Sequence, residues 1–365
     1  MARQVFILGA GASRHLGAPL MNDFIDAAYD LRTQRLAPIS EGAFDLVFDF
    51  VEKRLPRLYA KSKVDLGNIE SVFSLLEMGR LLGRLPSTTA DQIEAAVAAI
   101  RRVLVETLEL TCRFPVDSDG AIVPSDPYLA LAGIVEEQQR TTGSSSVACL
   151  TFDYDIGLDF ALHWSNLPID YGLTPAVHGA VPVLKLHGSL NWLLCPSCSE
   201  ISVVPLREIF GHQPRNAPGK PRPIVVTASL ANRPAHCPGA NHDGQPAIVP
   251  PSWNKTQYHE KFGKIWKRAA AELAEAQEIT VIGYSLPPSD GFFRDLLALG
   301  LADGARLRQF RVVDTGEDTM QRFRDLLGPD VLPKFDPKLT TFEDFASTVL
   351  RQSQRSGYRI ARRRA

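Results

Sequence analysis

The chain has 365 residues, with 40 Lys and Arg against 41 Asp and Glu and a formal net charge of -1. Hydrophobic residues at 45% and charged residues at 22% are ordinary globular values, which exclude bulk disorder and the collagen-like and coiled-coil classes. The length allows two or three domain-sized units, and the near-neutral charge gives no overall field toward nucleic acid or an anionic membrane.

Cysteine usage and apolar runs bear on localisation. Five cysteines are too few and too unevenly spaced for a disulfide framework, which favours a reducing cytoplasm. The apolar run at residues 5–8 is shorter than the about 7 to 15 residues of a secretory signal, and no run approaches the about 18 of a membrane span. We therefore expect a cytoplasmic protein without a membrane segment.

Five short apolar runs, each followed by a turn and a helical pattern, predict the strands of a parallel sheet. Their residues are continuously apolar, as expected for strands that are buried on both faces. The runs are residues 5–8, 147–151, 183–186, 279–282 and 310–313. The sequence therefore predicts an α/β fold with a doubly wound parallel sheet wrapped by helices.

Residues 22–140, between the first two of these strands, predict one helix after another. Thr89 and Gln92 have the spacing of a capping box at the start of one helix. Apolar residues then recur at steps of three and four, as on one face of an amphipathic helix. These residues are Ile93, Val97, Ile100, Leu104 and Leu108. We expect a helical insertion and assign it no chemistry.

A proline-rich segment occupies residues 195–252, where the prolines break any long helix. Short runs at 201–206 and 224–227 predict small strands, and a helical pattern returns at 255–276. The segment is therefore expected to form a small, turn-rich module inserted into the α/β frame.

The same module contains a metal-ligand pattern. Cys195 and Cys198 form a C-x2-C pair, and Cys237 with His242 forms a C-x4-H pair. Four such ligands suit tetrahedral zinc, which stabilises modules that have little hydrophobic core. His236 is the alternative fourth ligand, and a redox-active C-x2-C pair is the alternative chemistry.

The first predicted strand is followed by a small-residue loop that contains Gly9, Ala10, Gly11 and Ser13. Glycines after a buried strand let backbone N–H groups approach a phosphate, and the N-terminus of the following helix adds a favourable dipole. The dinucleotide fingerprint G-x-G-x-x-G is incomplete, because Arg14 occupies the place of the third glycine. The loop predicts a nucleotide site.

Polar or titratable residues follow the other predicted strands. In open α/β sheets, ligands bind outside the carboxyl ends of the strands, so these residues are site candidates. A histidine there can act as a general base near neutral pH, although a lone histidine is more often structural. A carboxylate there can accept hydrogen bonds from a ribose hydroxyl or cap a helix. The candidates are Thr151, Asp153, Tyr154 and Asp155 after the second run, His187 after the third, Gly283 and Ser285 after the fourth, and Asp314 after the fifth.

The C-terminal residues 351–365 carry arginines and no acidic residue. Such a tail is usually a solvated terminus, and it could also contact nucleic acid or an acidic partner surface. The arginines are Arg351, Arg355, Arg359, Arg362, Arg363 and Arg364.

Taken in this order, the motifs resemble the sirtuin family, and specifically its bacterial, sirtuin-like branch of NAD-cleaving enzymes. The family's Gly-Ala-Gly-x-Ser, Gly-x-Pro, Asn-Tyr-Asp, His-Gly, Pro-x-Trp-x-Lys, Ile-Trp and Gly-Tyr-Ser-Leu-Pro patterns are matched in order across about residues 4–316. The matching residues are Gly9, Ala10, Gly11, Ser13, Gly17, Pro19, Thr151, Tyr154, Asp155, His187, Gly188, Pro251, Trp253, Lys255, Ile265, Trp266 and residues 283–287.

The resemblance implies an NAD+ hydrolase that releases nicotinamide and ADP-ribose or a cyclic form. His187 would be the general base and Asp153 would stabilise the ribosyl cation, with the pyrophosphate on residues 9–13 and Ser285 and the adenosine ribose near Asp314. The expected NAD-binding residues are Gly9, Ala10, Gly11, Ser13, Pro19, Thr151, Tyr154, Asp155, Gly283, Ser285 and Asp314.

The resemblance also implies a wider organisation. It gives a small structural zinc module, a role in bacterial anti-phage defence through NAD depletion, and control by a homo-oligomer or by a regulatory partner such as an ATPase. The expected domains are a Rossmann-like NAD-binding domain at residues 1–21, 141–194 and 246–330, a helical insertion at 22–140, a zinc-ribbon-like module at 195–245, and a C-terminal extension at 331–365.

One residue departs from the family pattern, because Asp153 stands where the family has an asparagine. A carboxylate could stabilise the cation that develops as nicotinamide leaves, and equally it could misplace the attacking water. Two alternatives therefore stay open. One is a nucleotide-sensing module that gates a partner without turnover. The other is an NAD-dependent protein deacylase, although residues 20–24 lack that group's Asp-Phe-Arg run.

Overall fold

The computed structural model describes most of the chain as two compact units. The first unit consists of Met1–His15, Pro115–His187 and Phe262–Ala365, and the second consists of Leu16–Phe114 and Gly188–Lys261. The described residues are 4–37, 41–143, 146–195, 197–211, 220–226, 237, 246–250, 256–287, 290–302 and 307–355.

The elements of the described residues are numbered here in chain order. The strands are β1 Gln4–Leu8, β2 Arg113–Phe114, β3 Val147–Thr151, β4 Ile169–Asp170, β5 Val181–Lys185, β6 Gly188–Leu194, β7 Ile201–Val203, β8 Arg222–Pro223, β9 Pro246–Ile248, β10 Glu278–Ile282, β11 Gln309–Asp314 and β12 Phe335–Leu339. The α-helices are α1 Phe24–Thr33, α2 Glu41–Asp49, α3 Pro56–Tyr59, α4 Ile69–Leu82, α5 Ala90–Thr111, α6 Asp126–Thr142, α7 Gly157–Trp164, α8 Leu206–Gly211, α9 Thr256–Ala274, α10 Gly291–Ala302, α11 Glu317–Leu326 and α12 Phe342–Arg355.

The first unit is built on a seven-stranded sheet in the order β12-β11-β10-β1-β3-β5-β4, and every neighbouring pair is parallel. The chain moves outward from β1 through β3 to β4 and β5, then returns to the other side of β1 with β10. The predicted doubly wound parallel sheet is confirmed. Its topological switch point lies between β1 and β10, which is where open α/β sheets bind ligands.

The five predicted strands correspond to β1, β3, β5, β10 and β11, and the differences lie at their ends. The residues of β3 and β5 are all buried, which explains why their sequences are apolar apart from the last residue of each. The two edge strands were not predicted. β4 has only two residues, and β12 is half-exposed and includes Asp336, Pro337 and Lys338, so neither leaves an apolar run.

The second unit contains the helices α1 to α5 and small antiparallel sheets. Thr89 and Gln92 form the predicted capping box at the start of α5, and the predicted apolar stripe of that helix is buried. β6 pairs with β7 and β9, and β2 pairs with β8. Helix does not continue through residues 22–140, because β2 and a bridge between Val116 and Ile122 separate α5 from α6.

One of the two small strands predicted in the proline-rich segment is wrong. Residues 201–203 form β7, but residues 224–226 are not in a strand, and the short β8 precedes them at Arg222–Pro223. The Val226 backbone N–H donates to the Glu109 carboxylate at 2.8 Å, so a side chain takes the place of a neighbouring strand. Thr227 lies outside the described residues.

Candidate active site

The carboxyl ends of the central strands of the first unit are level with one another. Leu8 of β1 pairs with Thr151 of β3 and with Ile282 of β10. Thr151 in turn pairs with Lys185 of β5, and Ile282 pairs with Val313 of β11. The residues that follow these strands are therefore gathered along one edge of the sheet, on both sides of the switch point.

The glycines after β1 and β10 allow two loops to touch through their backbones. Gly11 N donates to Gly283 O at 2.8 Å. A Cβ atom on Gly283, whose φ is +61°, would lie 2.3 Å from Ala12 N, and one on Gly9 would lie 2.7 Å from Tyr284. No side chain larger than hydrogen fits at these positions, because the neighbouring atoms are largely backbone. The glycine-rich loop thus closes tightly across the switch point.

Ser13, expected to bind nucleotide, is buried in a hydrogen-bond network. Its Oγ donates to Asp155 Oδ2 at 2.7 Å and lies 2.6 Å from Tyr128 Oη. Asp155 Oδ1 accepts a hydrogen bond from Gly157 N at 2.7 Å, at the first residue of α7. Asp155 therefore ties the loop after β1 to the start of α7, whose N-cap position is the next residue, Ile156.

Asp153 is a buried carboxyl group beside this network. Its backbone N–H donates to Thr151 Oγ1 at 3.0 Å, and its Oδ2 atom has no hydrogen-bond partner among the described residues. Burial raises the pKa of Asp153 well above its ordinary value of 3.8; the Asp155 carboxylate raises it further, and Lys185 lowers it. The neutral acid is thus favoured at this position.

Lys185, the last residue of β5, forms a buried ion pair beneath the same loop. Its Nζ lies 3.0 Å from Asp159 Oδ2, and both side chains are 1% exposed. The ammonium also donates to the backbone oxygen of Asp155, and Tyr171 Oη donates to Asp159 Oδ1 at 2.7 Å. Both carboxylate oxygens of Asp159 are therefore hydrogen-bonded.

His187 lies in the turn after β5 and is packed among aromatic rings. Its ring centroid lies 5.0 Å from that of Phe152, edge to face, and 6.3 Å from that of Tyr154. Phe152 in turn stacks on Tyr284 at 4.5 Å, with the planes 17° apart. The aromatic cluster joins the loops after β3, β5 and β10 and leaves His187 8% exposed.

The last two candidates lie on the other side of the switch point. Ser285 follows β10 and is exposed, and its backbone oxygen accepts a hydrogen bond from Arg322 Nε at 2.8 Å. Asp314 ends β11, and its Oδ1 accepts from Gly316 N at 2.8 Å, just before α11. Asp314 therefore shapes the turn into that helix, whatever it binds.

Three of the four expected zinc ligands converge in the second unit. The sulfur atoms of Cys195, Cys198 and Cys237 all lie within 4.8 Å of one another, so the group could hold a metal ion. A backbone hydrogen bond from Cys198 lowers the pKa of Cys195 to about 6, which favours the thiolate that binds zinc. The fourth expected ligand, His242, and its alternative, His236, lie outside the described residues.

The candidate residues are thus divided between the units. Those that follow β1, β3, β5, β10 and β11 belong to the first unit, and Pro19 and the cysteines belong to the second. Sequence reasoning missed Tyr128, Lys185, Asp159 and Arg322. Lys185 did carry a signal, because a lysine inside an apolar strand needs a buried partner. The partners of Tyr128 and Arg322 are 115 and 37 residues away, and no local pattern connects them.

Comparison with known proteins gives structural similarity only. No protein-family model matches the chain, and no curated protein matches it. Solved structures of Sir2 enzymes are similar to it. One is Sir2Tm bound to a propionylated peptide, which has 13% identity and a TM-score of 0.37, and the match covers 96% of this chain and 93% of that one. A structure described as addressing the mechanism and regulation of Sir2 enzymes has 15% identity and a TM-score of 0.38, and the match covers 98% of this chain and 94% of that one. A Sir2 homologue in complex with ADP-ribose has 14% identity and a TM-score of 0.36, and the match covers 97% of this chain and 92% of that one. Similarity at this level carries no functional conclusion, which therefore rests on the residues of the chain.

Proposed function

We propose that this chain is an NAD+ hydrolase that cleaves NAD to nicotinamide and ADP-ribose or a cyclic form, as its resemblance to sirtuin-like enzymes implies. The observation that carries the proposal is the buried Asp153 carboxyl, whose Oδ2 atom has no hydrogen-bond partner among the described residues. It follows the strand next to β1 and so lies close to the switch point. A group with these properties requires a partner that the described part of the chain does not supply.

The protonation of Asp153 reconciles its identity with the asparagine of the family. A neutral carboxylic acid offers a donor and an acceptor, as an amide does, but has one donor hydrogen fewer, so the substitution retains part of the hydrogen-bonding pattern. Glycosidic cleavage passes through an oxocarbenium-like state, and a positive charge close to Asp153 would lower its pKa and favour the anion. Asp153 thus binds as a neutral acid. As the ribosyl cation develops, the carboxyl proton passes to a water molecule and the resulting carboxylate stabilises the cation.

The other residues bind and orient the substrate. His187 acts as the general base on a ribose hydroxyl or on water, and the aromatic rings around it exclude bulk water. The backbone of residues 9–13 with Ser285 receives the pyrophosphate, and Asp314 receives the adenosine ribose. Within the first unit, Thr151, Tyr154 and Gly283 complete the proposed binding set. Zinc, held by the three cysteines and His242, has a structural role.

The resemblance extends the proposal to the cell. NAD depletion in the cytoplasm would serve bacterial anti-phage defence. Assembly into a homo-oligomer, or binding to a regulatory partner such as an ATPase, would restrain the hydrolase activity in the resting state. The Arg-rich tail is the proposed contact with nucleic acid. Among the described residues, no helix is long and apolar enough to span a membrane.

A single assay tests the reaction. The purified protein is incubated with NAD, alone and with an acetylated peptide, and nicotinamide release is followed. We expect peptide-independent release that falls at least about a hundredfold in His187→Ala, within the range of a lost general base. His163→Ala, which changes an exposed histidine of α7 in the same unit, is the matched control and should keep full activity.

The alternatives give different results in the same assay. Release only in the presence of the peptide would identify a deacylase. Binding of NAD without nicotinamide release, even after the native partner is added, would identify a nucleotide sensor. The neutral state of Asp153 would suit a sensor, because no fixed anion is then present to stabilise a cation. Equal activity of His187→Ala and His163→Ala would remove His187 from the mechanism.

A further inference from the structure

A buried polar network joins the loops that follow three neighbouring strands of the first unit. Lys185 ends β5, and its Nζ donates to the backbone oxygen of Asp155 in the loop after β3. The Asp155 carboxylate accepts a hydrogen bond from the hydroxyl of Ser13 in the loop after β1. Lys185 is therefore the link between the strand that leads to His187 and the loop that carries Asp153.

The ion pair at the base of this network is an unexpected feature of an apolar core. Lys185 and Asp159 are each 1% exposed, and Tyr171 completes the hydrogen bonds of the carboxylate. Burying two charges costs free energy that their attraction only partly offsets, and apolar side chains in such places are often as stable or more stable. Stability alone does not account for the pair, whereas a requirement for a fixed loop geometry does.

The network also sets the charge around Asp153. The charged groups that act on it are Asp155, from its own loop, and Lys185, from β5, and they oppose each other. Lys185 is in turn paired with Asp159 of α7. Loss of the ammonium would leave Asp153 facing a carboxylate without a counter-charge.

We propose that Lys185 is a positioning residue for the reaction: it fixes the loop of residues 152–156 against the loop after β1 in the arrangement that turnover requires. This inference rests on the proposed NAD hydrolysis. Lys185 does not touch the substrate in this scheme. It acts through the backbone of Asp155 and through the electrostatic environment of Asp153.

The test compares Lys185→Met with Arg311→Met, which removes a cation and an ion pair from β11 of the same sheet. We expect kcat for NAD to fall about a hundredfold in Lys185→Met, as a misplacement near 1 Å can cause, with a smaller change in KM. The Arg311→Met control should stay within about twofold of the wild-type protein. Since single removal leaves Asp159 without its counter-charge, Lys185→Met combined with Asp159→Asn provides a variant in which both charges of this ion pair are removed.

A second measurement is independent of activity. The carboxyl carbon of Asp153 is titrated by NMR and assigned by its absence in Asp153→Asn. Because Lys185 lowers the pKa of Asp153, its removal should move this titration to higher pH, and the limb of the pH–rate profile that belongs to Asp153 should move the same way. If the wild-type protein releases no nicotinamide, the proposed function fails while the titration still tests the role of Lys185. An unchanged titration, or kcat equal to that of the Arg311→Met control, would overturn the inference.

Discussion

At the scale of the residue, the chemistry of the proposed site depends on one carboxyl group. Asp153 is buried, next to a second carboxylate, and one of its oxygens has no hydrogen-bond partner within the part of the chain that the structure describes. The sequence identified this residue as the departure from the family pattern, but it offered two opposite consequences and no means to choose. The structure adds that burial favours the neutral acid in the folded chain, and burial cannot be read from a motif.

The stability of Asp153→Asn should depend on pH. A carboxyl group whose folded pKa is raised stabilises the fold fully below its unfolded pKa, and this contribution is lost as pH rises through the folded pKa. The pH range over which this stabilisation is lost therefore begins near 3.8, the ordinary pKa of the carboxyl group, and extends well above it. Relative to the wild-type protein, Asp153→Asn should therefore gain stability progressively as the pH rises from 3.5 to neutral.

Thermal unfolding of both proteins across this pH range measures the effect. Asp314→Asn, at a half-buried carboxylate that ends another strand of the sheet, is the control. A constant difference between Asp153→Asn and the wild-type protein at all pH values would mean that Asp153 titrates normally in the fold.

At the scale of the element, the site depends on how closely two loops can approach. Gly283 adopts a left-handed conformation and faces the backbone of Gly11 and Ala12. The glycine-rich loop was interpreted from the sequence as a cradle for phosphate. The structure adds a second reason for its glycines, since they allow the backbone contact across the switch point.

Gly283→Ala should therefore destabilise the protein. The left-handed backbone costs a residue with a Cβ atom about 1 to 2 kcal/mol, and the contact 2.3 Å from Ala12 N adds to this. Gly263→Ala is the matched control, because a Cβ atom there meets nothing within 4 Å and the site lies within α9. It should stabilise the protein by about 0.5 to 1 kcal/mol, as alanine does in place of glycine in a helix.

Chemical denaturation of the two variants measures both expected changes in the free energy of unfolding, the decrease in Gly283→Ala and the increase in Gly263→Ala. If Gly283→Ala matches the wild-type protein, the loop after β10 can move away from the loop after β1, and their contact is not a fixed part of the site.

Much of the fold was predictable at this scale, and the reason is physical. Central strands such as β3 are buried on both faces, so apolar runs reveal them, and α5 carries its own capping box and apolar stripe. Edge strands such as β12 escape because exposure removes that pattern. The site was predictable as positions but not as contacts: the partners of Ser13 lie 115 and 142 residues away.

At the scale of the whole molecule, the chain consists of two compact units. The near-zero net charge conceals a basic tail at residues 351–365. The structure describes the backbone of residues 351–355, which form the last turn of α12. The domain boundaries expected from the sequence stay a prediction. The cluster of Cys195, Cys198 and Cys237 is the feature of the second unit that can be tested most directly.

Zinc should prove to be a structural part of the second unit. We expect close to one zinc per chain in the purified protein and a loss of metal in Cys198→Ser, with His242→Ala and His236→Ala distinguishing the fourth ligand. Metal analysis measures this directly. Chelation should also lower the hydrogen-exchange protection of β6 and β7, because Cys195 directly follows β6 and metal binding there contributes to folding.

Cys112→Ser is the control for the zinc measurement, since Cys112 caps the end of α5 and is not part of the cluster. Zinc content unaffected by Cys198→Ser, or a purified protein without metal, would instead point to the redox pair.

The two remaining cysteines give each unit an internal reporter. Cys149 is a buried thiol within β3, where burial raises its pKa to about 12, and Cys112 is a buried thiol in the second unit. A thiol protected in this way is alkylated only when the surrounding structure opens, because the thiolate is the reactive form. The natural sequence thus already contains one kinetic probe for each unit, and the opening of the sheet and of the helical unit can be timed separately without introducing a label.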